Sequence, residues 1–155
     1  MPHKIRNFRQ VHKHGGRKIF VSGEPDREHL EWLRNQGVRH IMSAAPEPGI
    51  QEAWEKFGGH YHPFDYNNLW GGEIARGIEA AERWKNGDGN LLVHCNKGEE
   101  RSPVVAYTVL RRLGVPAEEA KRKVLLGEDM SNVSESLDDV FEMTEEMGVD
   151  DGLWK

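Results

Sequence analysis

The stretch Leu91 to Ser102 reads LLVHCNKGEERS and holds the chain's only cysteine. A thiol becomes a strong nucleophile once it loses its proton. Nearby cations or a helix N-terminus ease that loss, taking cysteine pKa values from ~8.5 down to ~3.5–7.5. Here three apolar residues lead to His94 and Cys95, and Gly98, Arg101 and Ser102 follow. That order suits a strand, a short loop and a helix. The N–H groups of such a loop can converge on one concavity, a nest for an anion, and the helix start adds partial positive charge. Gly98 lets the backbone turn where a side chain would interfere. Arg101 offers a planar fork that matches two oxygens of a phosphate. A Cys95 thiolate facing that phosphate would be in line for attack on phosphorus. The Ser102 hydroxyl would hydrogen-bond the sulfur and help it leave the later phosphocysteine. The competing reading, a small buried hydrophobe at a strand end, does not account for the arginine and serine at this spacing.

These residues need a scaffold. Lys18–Ser22, Val38–Ser43, His60–Phe64 and Asn90–His94 read as short strands between turn signals. Asp26–Gln36, Ile50–Phe57 and Glu73–Trp84 read as helices, the last with Ile74, Ile78, Ala81 and Trp84 at helical spacing. Pro103 suits a first helical turn, and that helix runs to Leu113. Another follows from Pro116 to about Leu126, and Ser134 can cap a last one. Strands alternating with helices predict an α/β fold: a central, largely parallel sheet of four to five strands flanked by helices. Right-handed crossovers then put Cys95 at the carboxyl end of a central strand, where open α/β sheets bind ligands.

A chain of 155 residues, 37% hydrophobic and 30% charged, is expected to be one soluble domain spanning 1–155. The net charge of −5 does not suggest general nucleic-acid affinity. The first residues run against that balance. Lys4, Arg6, Arg9, Lys13, Arg17 and Lys18 meet no acid, so 1–17 is expected to be a solvated basic arm, with an acidic or RNA partner as the sharper reading. No membrane span or signal peptide is legible. One cysteine makes no internal disulfide, so a monomeric cytoplasmic protein is expected.

HCNKGEERS resembles the His-Cys-x5-Arg-Ser signature of the protein tyrosine phosphatase superfamily, and the short chain is similar to its dual-specificity branch. VSGEPDREHLEWLRNQGVRHIMS resembles the early strand–helix–strand of small members, and the likeness spans roughly Ile19 to Met147. The resemblance implies a phosphate-binding loop of Asn96, Lys97, Gly98, Glu99, Glu100 and Arg101. It implies Cys95 as nucleophile, Arg101 as phosphate holder, Ser102 as helper in hydrolysis and His94 as tuner of the cysteine. It carries the general-acid role onto Asp65, in HYHPFDYNNLW; an N-cap or turn aspartate is the plainer alternative. Glu73 is the substitute acid. Asn67, Asn68 and Trp70 flank Asp65 as rim or loop residues, and Asn132 matches an asparagine that supports the acid loop in some relatives.

Glu99 and Glu100 stand where relatives carry small residues. With the main chain binding the anion, both carboxylates are expected to face solvent; repelling acidic substrates or recruiting a basic segment, such as the N-terminal arm, are the alternatives. His60 and His62 could form a metal pair, but no third ligand has fitting spacing. No metal or other cofactor is expected. The expected substrates are phosphotyrosine, phosphoserine and phosphothreonine of proteins, or a small phosphomonoester. RNA 5′ ends, nucleotides, phosphoinositides and a non-catalytic phosphate-binding module are the alternatives.

Overall fold

The apolar run before Cys95 forms the strand β5, Asn90–His94, at the centre of the sheet. Leu91, Leu92 and Val93 are fully buried, as a strand covered on both faces requires. In this computed structural model residues 4–126 and 137–154 are described. Five strands lie in the order β1-β2-β5-β3-β4: β1 is Arg9–His14, β2 Arg17–Ser22, β3 Val38–Ser43 and β4 His60–Pro63. The pairings β2–β5, β3–β5 and β3–β4 are parallel; β1–β2 is antiparallel. Ser22 and Ser43 both stand opposite His94. Three strands therefore end level, and Cys95 is the first residue beyond their shared carboxyl edge.

Two layers of helix cover the sheet. On one face α1 (His29–Asn35) and α2 (Pro48–Lys56) bury Leu30, Leu33, Ile50 and Trp54 against Phe20, Ile41 and Leu92. On the other lie α3 (Glu73–Asn86), α4 (Arg101–Arg112), α5 (Ala117–Leu125) and α6 (Leu137–Asp150). The middle of this layer is α4, whose residues from Ser102 to Leu110 are all buried, and it packs on Val21, Met42, Leu91 and Val93. A helix apolar almost all round belongs in a core. Burial thus holds the start of α4 against the end of β5, which closes the intervening loop to a few residues.

The N-terminal segment corrects the expectation of a solvated arm over 1–17. Residues 9–14 are the edge strand β1, and Ile5, Asn7, Arg9 and Val11 are buried. Gly15 and Gly16, with φ of 57° and 85°, make the tight turn into β2 that needs left-handed backbone at both positions. The strand was hidden because basic residues occupy both its faces: Arg9 points in and Lys13 points out. Asn132 lies outside the described residues.

Candidate active site

The loop from Cys95 to Glu100 curls back on the cysteine. The Gly98 N–H donates to Cys95 Sγ at 3.2 Å, and Ser102 Oγ lies 3.2 Å from the same sulfur. Ser102 Oγ also reaches the Ser22 carbonyl, at 3.4 Å. Gly98 has φ of +77°, the left-handed conformation glycine adopts without strain. Cys95 is 3% exposed yet lines a cavity of about 350 Å³ with Asn96, Lys97, Glu99, Glu100 and Arg101. Among the described residues no acceptor is paired with the N–H groups of Asn96, Lys97, Glu99 or Glu100. Those donors therefore remain available to an oxyanion.

His94 is fully buried, and burial lowers its pKa to about 4, so its ring is neutral near pH 7. Its Nδ1 lies 3.3 Å from the Cys95 carbonyl. It contributes backbone placement of Cys95 and no positive charge. The Arg101 guanidinium lies 5.7 Å from the centre of the Tyr66 ring. Burial first, then Glu100, raises the Tyr66 pKa to about 12, so Tyr66 stays a neutral phenol beside the site.

Asp65 stands where β4 gives way to a short 3-10 segment, Tyr66–Gly71. Its carboxylate accepts from Asn67 N–H at 3.1 Å, so it does cap this turn. It also lines a second cleft, of about 600 Å³, shared with Asn67, Tyr66, Arg76, Asn96 and Arg101. The two roles coexist, because one oxygen suffices for the cap. Glu73, the first residue of α3, is buried, and its Oε2 accepts from the Asp65 backbone N–H at 2.9 Å. It braces the backbone that carries Asp65, and of the two carboxylates only Asp65 lines the cleft. Asn68 is exposed at a kink in the segment, and its N–H donates to the Asp65 carbonyl. Trp70 contributes backbone to the segment; its side chain lies outside the described residues.

No protein-family model and no curated protein sequence matches the chain. Solved structures do match it. PTPMT1 superposes with a TM-score of 0.70 at 16% identity, covering 94% of this chain and 98% of that one. Human DUSP28 gives 0.68 at 19%, covering 94% and 96%. Tk-PTP in its active form gives 0.64 at 23%, covering 88% and 96%. The fold is that of the cysteine-dependent phosphatases. At these identities the likeness speaks for the fold alone, and the chemistry rests on the site itself.

Within that fold Cys95, Asn96, Lys97, Glu99, Glu100 and Arg101 line one cavity, Ser102 and Gly98 contact the sulfur from its buried side, and Asp65 and Asn67 line the adjoining cleft. The structure corrects the placing of Glu99. That residue is buried, and Arg6 Nη2 donates to its Oε1 at 3.1 Å; Glu100 alone of the pair is exposed. The Arg6–Glu99 ion pair ties the N-terminal segment to the loop. His60 and His62 meet His40 on the neighbouring strand, with ring centres 4.6 and 5.5 Å from it and His40 Nδ1 3.3 Å from His62 Nε2. Among the described residues no three His, Cys, Asp or Glu are gathered as a metal site, and none of the described helices is long and apolar enough to cross a membrane. Sequence reasoning missed Asn7, Arg9, Tyr66, Glu24 and Glu47. The last two line the cleft beside Asp65, and nothing local in the sequence places them there.

Proposed function

We propose that this chain is a cysteine-dependent phosphomonoester hydrolase. One observation carries the reading: Cys95 Sγ sits between the Gly98 N–H and Ser102 Oγ, in a cavity that Arg101 shares, with open amides around it. The amides and Arg101 bind the phosphate dianion. The thiolate attacks phosphorus, and the bond to the ester oxygen breaks as Asp65 hands that oxygen a proton. The Asp65 carboxylate then takes a proton from water, which attacks the phosphocysteine. The S–P bond breaks, inorganic phosphate leaves, and Ser102 hydrogen-bonds the departing thiolate.

The substrate class is a phosphorylated side chain of a protein. The cleft beside the loop is wide, and Glu24 and Glu47 stand on its wall. The Glu24 pKa is raised, by burial first and then by Glu47 and Asp26, and the two wall carboxylates share the cleft with Arg76 and Arg101. Such a wall favours a phosphate with neutral or cationic neighbours over an inositol polyphosphate or an RNA 5′-triphosphate. A PTPMT1 structure contains PI(5)P, which keeps a phosphoinositide as the comparison to run. The RNA alternative depends on a free basic arm, and residues 9–14 of that segment are a strand of the sheet.

The test uses purified protein, a small aryl phosphate and excess chelator. Phosphate release blocked by vanadate is expected, with Cys95→Ser binding phosphopeptide but turning nothing over. Phosphopeptide binding by wild-type protein without any turnover would reassign the chain as a binding module. Phosphopeptides, PI(5)P and 5′-triphosphorylated RNA compared by kcat/KM then decide the substrate class.

A further inference from the structure

Three residues of the N-terminal segment grip the back of the phosphate loop. Asn7 Nδ2 donates to the Lys97 carbonyl at 3.0 Å. That carbonyl and the Gly98 N–H belong to one peptide unit, and the Gly98 N–H is the donor to Cys95 Sγ. Asn7 therefore fixes the plane of the peptide that faces the sulfur, and a bond to its oxygen strengthens its N–H as a donor. Asn7 is itself buried and held at φ +55°, a conformation that costs a non-glycine residue energy. Arg6 adds its ion pair with Glu99.

Arg9 is the less expected member. It is 9% exposed. Its Nη1 donates to the carbonyls of Asn7 at 2.8 Å and Gly98 at 3.2 Å, and its Nη2 to the Val124 carbonyl at 2.8 Å. Its Nε is buried with no acceptor among the described residues. Among the described residues all its hydrogen-bond partners are neutral carbonyls. A buried guanidinium without a carboxylate is costly unless another negative charge is near. Burial lowers the Arg9 pKa, and Cys95 is the group that opposes that shift.

We propose that Asn7 and Arg9 are positioning residues for Cys95, Asn7 clamping the 97–98 peptide toward the sulfur and Arg9 acting as the buried counter-charge of the thiolate. The inference deepens the hydrolase reading and rests on it for its purpose, though not for its test. Around Cys95 the other charged or titratable groups are His94 from β5, Tyr66 and Asp65 from the acid loop, Lys97, Glu99 and Glu100 from the loop, and Arg101 from α4. Beside Arg9, β1 contributes His12 and Lys13, and α5 contributes Lys123 and Glu119. Lys123 is engaged with His12 at 2.9 Å and Glu119 at 3.6 Å.

The experiment follows iodoacetamide alkylation of Cys95 against pH in the intact protein, with circular dichroism as the check on folding. Asn7→Gly keeps the left-handed backbone and removes the amide. Arg9→Gln keeps a donor for the carbonyls and removes the charge; Arg9→Lys keeps the charge. Asn7→Gly and Arg9→Gln should each slow labelling about tenfold on the acid side, while Arg9→Lys stays near wild type. A wild-type profile in folded Asn7→Gly overturns the clamp. A wild-type profile in folded Arg9→Gln, or a tenfold slowing in Arg9→Lys, overturns the counter-charge. If Arg9→Gln does not fold, Arg9→Met, which keeps the buried stem and removes the charge, takes its place with the same two outcomes. Labelling reads the thiol directly, so it gives its answer even if no phosphate ester is hydrolysed.

Discussion

Replacing Gly98 by alanine tests whether the loop is held as tightly as its packing implies. A Cβ built there stands 2.6 Å from the Gly23 nitrogen and 2.7 Å from the Ser22 carbonyl carbon, both backbone atoms. An ordinary contact begins near 3.4 Å, so the loop must retreat by about 0.8 Å in an interior with little free space. Alanine at φ +77° adds roughly 1–2 kcal/mol of backbone strain, and overpacking typically adds about 1–3 kcal/mol. A loss of roughly 3 kcal/mol is therefore expected. At a urea slope of about 2 kcal/mol per molar, the unfolding midpoint should fall by about 1.5 M. The same retreat pulls the Gly98 N–H away from Cys95 Sγ, and losing one aligned donor at a developing charge costs about 10²–10³ in kcat. Urea titration followed by tryptophan fluorescence, and aryl phosphate kinetics on the same preparation, read both effects. An alanine variant with a wild-type midpoint and wild-type turnover would refute the claim that close backbone contact aims this amide.

Asp65→Ala should slow turnover of esters with poor leaving groups by about 10²–10⁴, and far less where the leaving group needs no proton; equal losses across a leaving-group series would remove Asp65 as the acid. Glu73→Ala frees the Asp65 backbone N–H and should lower kcat about tenfold on the poor leaving groups, and an unchanged kcat would show that the acid loop holds itself. His40 and His62 are each lowered to about 4, chiefly by burial. Between that value and an unfolded value of about 6.5 the unfolded chain binds more protons, so stability should fall as pH drops through this window, by up to about 1.4 kcal/mol per pH unit per histidine. His62→Gln should make the slope of urea-derived stability between pH 7 and pH 5 shallower by about two-thirds of a proton, and an unaltered slope would discard this account.

Much of the scaffold was legible because it is local. The apolar run Leu91–Val93 and the helical spacing of Ile74, Ile78, Ala81 and Trp84 each declare an element within a few residues. β1 was missed for the opposite reason. Its partner strand buries half of it, but its basic residues imitate a solvated run, and the burial of Arg9 is visible only in the assembled sheet. Glu99 was expected first to face solvent; its pairing with Arg6, 93 residues away, answers instead to the alternative that it recruits the N-terminal segment.

The chain by itself determined that Cys95, Gly98, Arg101 and Ser102 meet in one loop, because they lie in a short stretch whose geometry follows from a strand ending and a helix beginning. Tertiary structure alone decided what stands around that loop: Asn7 and Arg9 bonded to its carbonyls, Glu73 bonded to the Asp65 backbone, Glu24 and Glu47 on the cleft wall. These contacts join elements brought together by burial of the sheet faces, and hydrophobic burial carries no directional signal that one residue could announce to another far along the sequence.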